Sequence, residues 1–212
     1  MKNTRSSILF SAILGSLPTI CLANGVENAL FVNGGVGSSH VDAGAFSNDT
    51  LNELKDDKTA YDMNVGYRWG WFGVEAGYVD PGKFRDTINP HFQPPLSNET
   101  YTDNGHVRGL TAGINAHYDF LPHWYVSGRA GAFHWHGDEL TFSGFNNIGT
   151  GAPVMVSNSG SHTDWYAGVG IGYDISEHFG VGIVYDYYKA VMRSQGIDLT
   201  SHVESLNAEY RF

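Results

Sequence analysis

The ten histidines are the first side chains to test for chemistry. In His134-Trp135-His136-Gly137-Asp138-Glu139, His134, His136 and Asp138 alternate, so an extended backbone puts all three on one face. Neutral imidazoles at i and i+2 can share a metal such as zinc. No third ligand is set by spacing, however, and short H-x-H matches are frequent. His134 and His136 are therefore a weak metal candidate, and no cofactor is expected. Ser161-His162-Thr163-Asp164 holds the residue types of a nucleophile relay, but no G-x-S-x-G elbow accompanies it. Gly34-Gly35-Val36-Gly37 and Gly168-Val169-Gly170-Ile171-Gly172 share only their glycines with phosphate loops; neither leads into a helix or a Lys-Ser/Thr pair. The chain is not expected to be an enzyme.

Isolated charges are more informative. Asp62, Glu75, Arg129, Asp186 and Glu209 sit in the middle of apolar or glycine-rich segments. A charge enclosed in protein is costly unless it is paired or hydrated. Arg129 is the only base at that depth, so Glu75, Glu209 or both are its expected partners. Arg68 and Arg211, near segment ends, can meet Asp119 and Asp174.

The elements that hold these charges alternate with period two. In HVESLNAEYRF, Leu206, Ala208, Tyr210 and Phe212 fall on one face, and Ser205, Asn207, Glu209 and Arg211 on the other. DWYAGVGIGYDI sets Trp165, Val169, Ile171 and Tyr173 against Tyr166, Gly168, Gly170, Gly172 and Asp174. Six further segments repeat the rule, least cleanly ALFVNGGVG and WYVSGRAGAFHW. This is the signature of half-buried strands.

Composition narrows the setting. Hydrophobic residues make up 42% and charged residues 16%, with 27 glycines in 212 residues, so neither a disordered chain nor a helical bundle fits. Twelve bases against 22 acids exclude a nucleic-acid binder, which needs a basic face. A single cysteine excludes a disulfide framework within one chain.

A greasy face can pack a soluble core or meet lipid. Three features favour lipid. The polar faces are rich in glycine and poor in lysine, as a cramped interior requires. Tyr67, Trp69, Trp71, Phe72, Tyr118, Phe120, Trp124, Tyr173, Phe179, Tyr210 and Phe212 gather at segment ends, as in an interfacial aromatic girdle. Connections alternate between tight turns (Arg68–Trp71, Phe120–Trp124, Asp174–Phe179) and long polar stretches (Asp42–Thr59, Asp80–His106, Gly137–Thr163, Lys189–Ser201). The expected fold is all-β: an eight-stranded antiparallel up-and-down transmembrane barrel with short periplasmic turns, long extracellular loops and a lumen filled by polar side chains. Residues 1–23 read as a signal peptide, with Lys2 and Arg5, an apolar run from Ile8 to Leu17, and small residues before a cut at Ala23/Asn24. Residues 24–212 are then the barrel, in the outer membrane.

YDMNVGYRWGWFGVEAGY, VRGLTAGINAHYDF…WYVSGRAGAFHW and ESLNAEYRF resemble the transmembrane domain of the outer membrane protein A (OmpA-like) family of Gram-negative bacteria. The resemblance covers essentially all of 24–212 and implies eight strands with both termini in the periplasm. It also implies that the terminal stripe Leu206, Ala208, Tyr210 and Phe212 is an assembly signal for the barrel-insertion machinery. The C-terminal peptidoglycan-binding domain of larger relatives is not expected. Glu75 and Arg129 match positions where such barrels hold charges, whereas Gly172 and Gly182 fall where charged neighbours are expected.

Expected partners are outer-membrane lipid, lipopolysaccharide, the insertion machinery and an extracellular ligand met through loops 80–106 and 137–163. The former contains Pro81, Pro90, Pro94 and Pro95 and the aromatics Phe84, Phe92 and Tyr101. The expected role is structural or adhesin- and receptor-like surface interaction. A narrow solute or ion channel, a lipid-modifying enzyme and a soluble ligand-binding barrel are the alternatives.

Overall fold

A computed structural model of the chain describes residues 28–45, 58–88, 101–145, 153–192 and 197–212. They form nine strands: β1 (Asn28–Ala45), β2 (Lys58–Trp69), β3 (Phe72–Asp80), β4 (Lys83–Ile88), β5 (Tyr101–Leu121), β6 (Trp124–Phe145), β7 (Pro153–Asp174), β8 (Phe179–Met192) and β9 (Ile197–Arg211). Neighbours pair antiparallel in the order β3-β2-β1-β9-β8-β7-β6-β5-β4, and a β3–β5 pairing closes the sheet. β3 and β4 lie end to end along β5, so the nine strands make eight staves. The stave is interrupted at Pro81-Gly82. Gly82 adopts φ 90°, and a Cβ there would meet Lys58 Cβ and Thr59 O at 2.9 Å. Only glycine takes that bend without strain.

Alternation decides which face goes where. Along β9, Leu206 and Tyr210 point out and are exposed, as is Phe212 just beyond it, while Ser205, Asn207, Glu209 and Arg211 are buried in the lumen. Met63, Val65, Val74, Ile114, Val169 and Ile183 belong to the same outward apolar band. No helix among the described residues is long and apolar enough to cross a membrane; the crossing elements are strands. Trp69, Trp71, Phe72, Tyr118, Trp124 and Tyr173 ring the band at the turn end, and Tyr61, Tyr78, Trp165 and Tyr185 at the other. Rings prefer these lipid–water boundaries because one end of each is apolar and the other wet.

The turns are as short as expected. Gly70 (φ 61°) and His123 (φ 69°) take left-handed conformations, and Ser176 Oγ accepts from the Phe179 N–H at 3.1 Å. The far end departs from expectation. β6 and β7 stay paired out to Phe145↔Pro153, and β8 and β9 out to Met192↔Ile197. Within Asp80–His106, β4 pairs with Tyr101–His106 of β5. Among the described residues, the stretches Gly137–Thr163 and Lys189–Ser201 read as loops are thus largely hairpin. Beyond the bilayer neither strand face need be apolar, so alternation disappears while the hydrogen-bonded ladder continues. β5, β6 and β7 contain 21, 22 and 22 residues, about twice the ~9–11 that cross a bilayer. Phe92, Pro90, Pro94, Pro95 and residues 1–23 lie outside the described residues, as do the side chains of Phe84 and Tyr101.

Candidate functional site

The lumen holds three tiers of side chains. At the periplasmic mouth, Arg68 grips Glu209 with two parallel bonds of 3.0 Å, and its Nε donates to Asn115 Oδ1 at 3.2 Å. Its guanidinium also lies 4.5 Å over the Phe31 ring. Arg211 donates to Glu209 Oε1 at 2.7 Å and to Asp174 Oδ1 at 2.6 Å. The expected meeting of Arg211 with Asp174 is present, but Arg68 turns to Glu209. Asp119 lies against His117, with Oδ1 3.1 Å from Nε2.

In the middle tier, Arg129 Nε donates to Asp186 Oδ1 at 2.7 Å, and Nη1 lies 3.6 Å from Asp62 Oδ2. Asp186 is fully buried. Glu75 accepts from the Tyr166 hydroxyl at 2.9 Å and from Asn115 Nδ2 at 3.1 Å. The expected partners of Arg129 are therefore corrected: Asp186 and Asp62 hold it, not Glu75 or Glu209. Ladder register supplies the reason. Arg129 stands opposite Gly168, and Gly168 opposite Asp186. A Cβ on Gly168 would overlap Asp186 Oδ1. Arginine and aspartate meet over a residue without a side chain.

The device recurs. Arg68, Gly73 and Asn115 share one row, and Asn64, Gly77 and Thr111 another. Glu75, Gly113, Gly131 and Tyr166 form a longer row, in which the tyrosine lies across both glycines to reach the carboxylate. Tyr125 likewise covers Gly172 and Gly182. Its ring fills the space where charged neighbours were expected. A cavity of about 40 Å³ remains between the two charged tiers, lined by Asn33, Glu75, Asn115, Arg129 and Glu209 among others.

The outer tier corrects the expectation of a polar lumen. Val41, Ala60, Val79, Val107, Phe133, Trp135, Leu199 and Val203 point inward and pack into one buried cluster. Trp135 donates its indole N–H to Asp164 Oδ2 at 2.8 Å. In WYVSGRAGAFHW the large residues swap sides along the strand: Val126 faces lipid, while Phe133 and Trp135 fill the interior. That swap is why its alternation reads poorly. Above the plug, Asp80 accepts from the Tyr61 hydroxyl (2.9 Å) and the Gly82 N–H (2.9 Å), with His106 Nε2 at 2.8 Å.

His134 and His136 face outward above the aromatic ring. His134 Nδ1 lies 2.8 Å from Thr163 Oγ1, and His136 Nδ1 2.6 Å from Ser161 Oγ. His136 Nε2 is 2.7 Å from Asp138 Oδ1, and Arg108 donates to Asp138 Oδ2 at 3.1 Å. Ser161, His136 and Asp138 thus stand in the order of a nucleophile relay. The register pairs His136 with Ser161 and His134 with Thr163, so the same contact recurs one row below without any acid. Ser161 and His136 are exposed and Asp138 is half-buried, and a polar cross-strand ladder accounts for both pairs.

A closed barrel with an apolar belt, two aromatic rings and an enclosed charged interior is an outer-membrane β-barrel. The chain belongs to the outer membrane protein beta-barrel domain family, whose sequence model matches residues 11–212. No curated protein matches it by sequence. Similar folds include Ail, the attachment invasion locus protein of Yersinia pestis, solved with the heparin analogue sucrose octasulfate. It shares 18% identity over 88% of this chain and 99% of that one, with a TM-score of 0.50. Neisserial surface protein A shares 12% over 86% and 97%, TM-score 0.55. OprG from Pseudomonas aeruginosa shares 11% over 87% and 96%, TM-score 0.54. All are OmpA-like barrels, and the likeness is one of fold.

Proposed function

We propose that this chain is a closed, non-enzymatic barrel whose working surface is its outer hairpins, β4–β5 and β6–β7, in an adhesin- or receptor-like role. The carrying observation is the apolar plug around Phe133 and Trp135, which fills the lumen directly beneath strands twice as long as the membrane requires. An ion crossing that tier would shed its water against side chains that offer no replacement. Rigid elements carrying long exposed extensions are the usual site of interaction. The name of the similarly folded Ail, with its heparin-analogue complex, lends the reading an analogy of class only. The proposal includes removal of residues 1–23 at Ala23/Asn24, insertion by the barrel-assembly machinery and lipopolysaccharide around the outer ring.

Planar-bilayer recording separates this from the channel reading. The native protein should show no steady conductance, and Trp135→Ala combined with Phe133→Ala should introduce one. Steady native conductance would overturn the closed-lumen reading. Trimming residues 141–157, the top of β6–β7, should leave heat-modifiable gel mobility intact while reducing cell attachment. Unchanged attachment would remove this hairpin from the working surface.

A further inference from the structure

The periplasmic mouth contains a side-chain cluster that ion pairing does not use up. His117 and Asp119 project from β5 and Asp174 from the end of β7, with β6 between them. His117 Nε2 lies 3.1 Å from Asp119 Oδ1 and 3.6 Å from Asp174 Oδ2, and one ligand atom from each residue falls within 4.8 Å of the others. A cation bound at ~2.0–2.2 Å in tetrahedral geometry holds its ligand atoms about 3.3–3.6 Å apart. The His117–Asp174 separation falls at the top of that range, the His117–Asp119 separation is slightly shorter, and the two carboxylates lie within 4.8 Å of each other, so a small side-chain adjustment brings the three atoms to one ion.

The surroundings support it. His117 stacks on Tyr125 of β6 with ring centroids 4.1 Å apart, which sets the plane of the imidazole. Arg211 holds Asp174 by Oδ1, leaving Oδ2 turned to the histidine. Such outer contacts orient metal ligands. Charge points the same way. The guanidiniums of Arg68 and Arg211 are matched by Glu209 and Asp174. The carboxylate of Asp119, 64% exposed, makes no arginine pair among the described residues. A single imidazole nitrogen therefore faces two carboxylates and can give a proton to only one. The group opens into a vestibule of about 820 Å³ at the turn end, which includes Arg68, Pro122 and Glu177, so water can complete a coordination shell.

We propose that His117, Asp119 and Asp174 bind one divalent first-row transition cation, through one nitrogen and two oxygens, at the periplasmic mouth. Bound there, the ion ties β5 to β7 across β6 and braces the barrel end that faces away from the outer hairpins. This ligand set suits zinc and its neighbours better than magnesium, which takes an oxygen-only shell.

The test uses the full barrel refolded in detergent and stripped with chelator. Zinc chloride titrated calorimetrically at neutral pH should bind with one site per chain at this cluster, and cobalt should give a visible absorption band there. Zinc should also raise the temperature at which the folded gel band converts to the unfolded one. Asp119→Asn, at an exposed position, should weaken binding at least tenfold, and His117→Gln should abolish the cobalt band. A His134→Gln, His136→Gln double variant should bind as the native chain does. No saturable binding would overturn the proposal. So would binding unchanged in both mouth variants, or binding lost in the outer-rim variant, because either places the ion elsewhere.

Discussion

Arg129 shows what a single side chain must do in a lumen this narrow. It is the one guanidinium of the middle tier, and two buried aspartates converge on it. A buried pair contributes little compared with an apolar replacement, but losing one partner strands the other. Arg129→Ala should therefore destabilise the folded barrel by ~3–5 kcal/mol, less if water from the adjoining cavity reaches the aspartates. Replacing both members, Arg129→Met with Asp186→Leu, should cost less than the single change. Urea unfolding in lipid vesicles measures both; a native midpoint for Arg129→Ala would contradict the pairing. Glu209 differs, because two arginines share it and removing either leaves the other in place.

At the scale of strands, glycine is the organising residue. Lumen-facing glycines form lanes along ladder rows, and long side chains lie in them to reach partners two or three strands away. Gly168→Val would occupy the lane between Arg129 and Asp186 and force the pair apart. The expected cost is at least the ~1–3 kcal/mol typical of overpacking. Val169→Gly, one residue along on the lipid face, should lower the unfolding midpoint less. Equal effects of the two changes would show that the lane has no special role. β6 and β7 illustrate a second property of strands. The turn-end halves of β6 and β7 lie between lipid and lumen, whereas past the Gly137/Leu140 irregularity the same two strands resume their ladder and stay paired to Phe145↔Pro153.

Across the whole molecule, closure depends on the last strand finding the first. β9 pairs with β1 from Ala45↔Ile197 to Phe31↔Arg211, and the Phe212 N–H donates to Leu30 O at 2.9 Å. The Phe212 side chain stays outside, edge-on to Tyr210 at 4.9 Å between ring centroids. A chain ending at Arg211 should therefore refold in detergent but reach the outer membrane at several-fold lower levels in cells. Membrane fractionation with heat-modifiable gels checks this. Native levels of insertion would rule out a role for Phe212 as the assembly signal.

Alternation along the chain was enough to define the barrel, its eight staves, its lipid face and its turn end. That follows because side-chain direction in a strand is a local property of period two. The same alternation marked Asp62, Glu75, Arg129, Asp186 and Glu209 as inward charges. It could not say which of them meet. Pairing depends on ladder register and stagger, which bring Arg129 to Asp186 over Gly168 and leave Glu209 to Arg68 and Arg211. The outer plug was hidden for a related reason: Phe133 and Trp135 are apolar residues facing an interior that the lipid-facing rule assigns to polar ones. His117 drew no notice as a member of the polar face of β5. Only the register of the β5–β6 and β6–β7 ladders carries Asp174, 57 residues further along the chain, to its side.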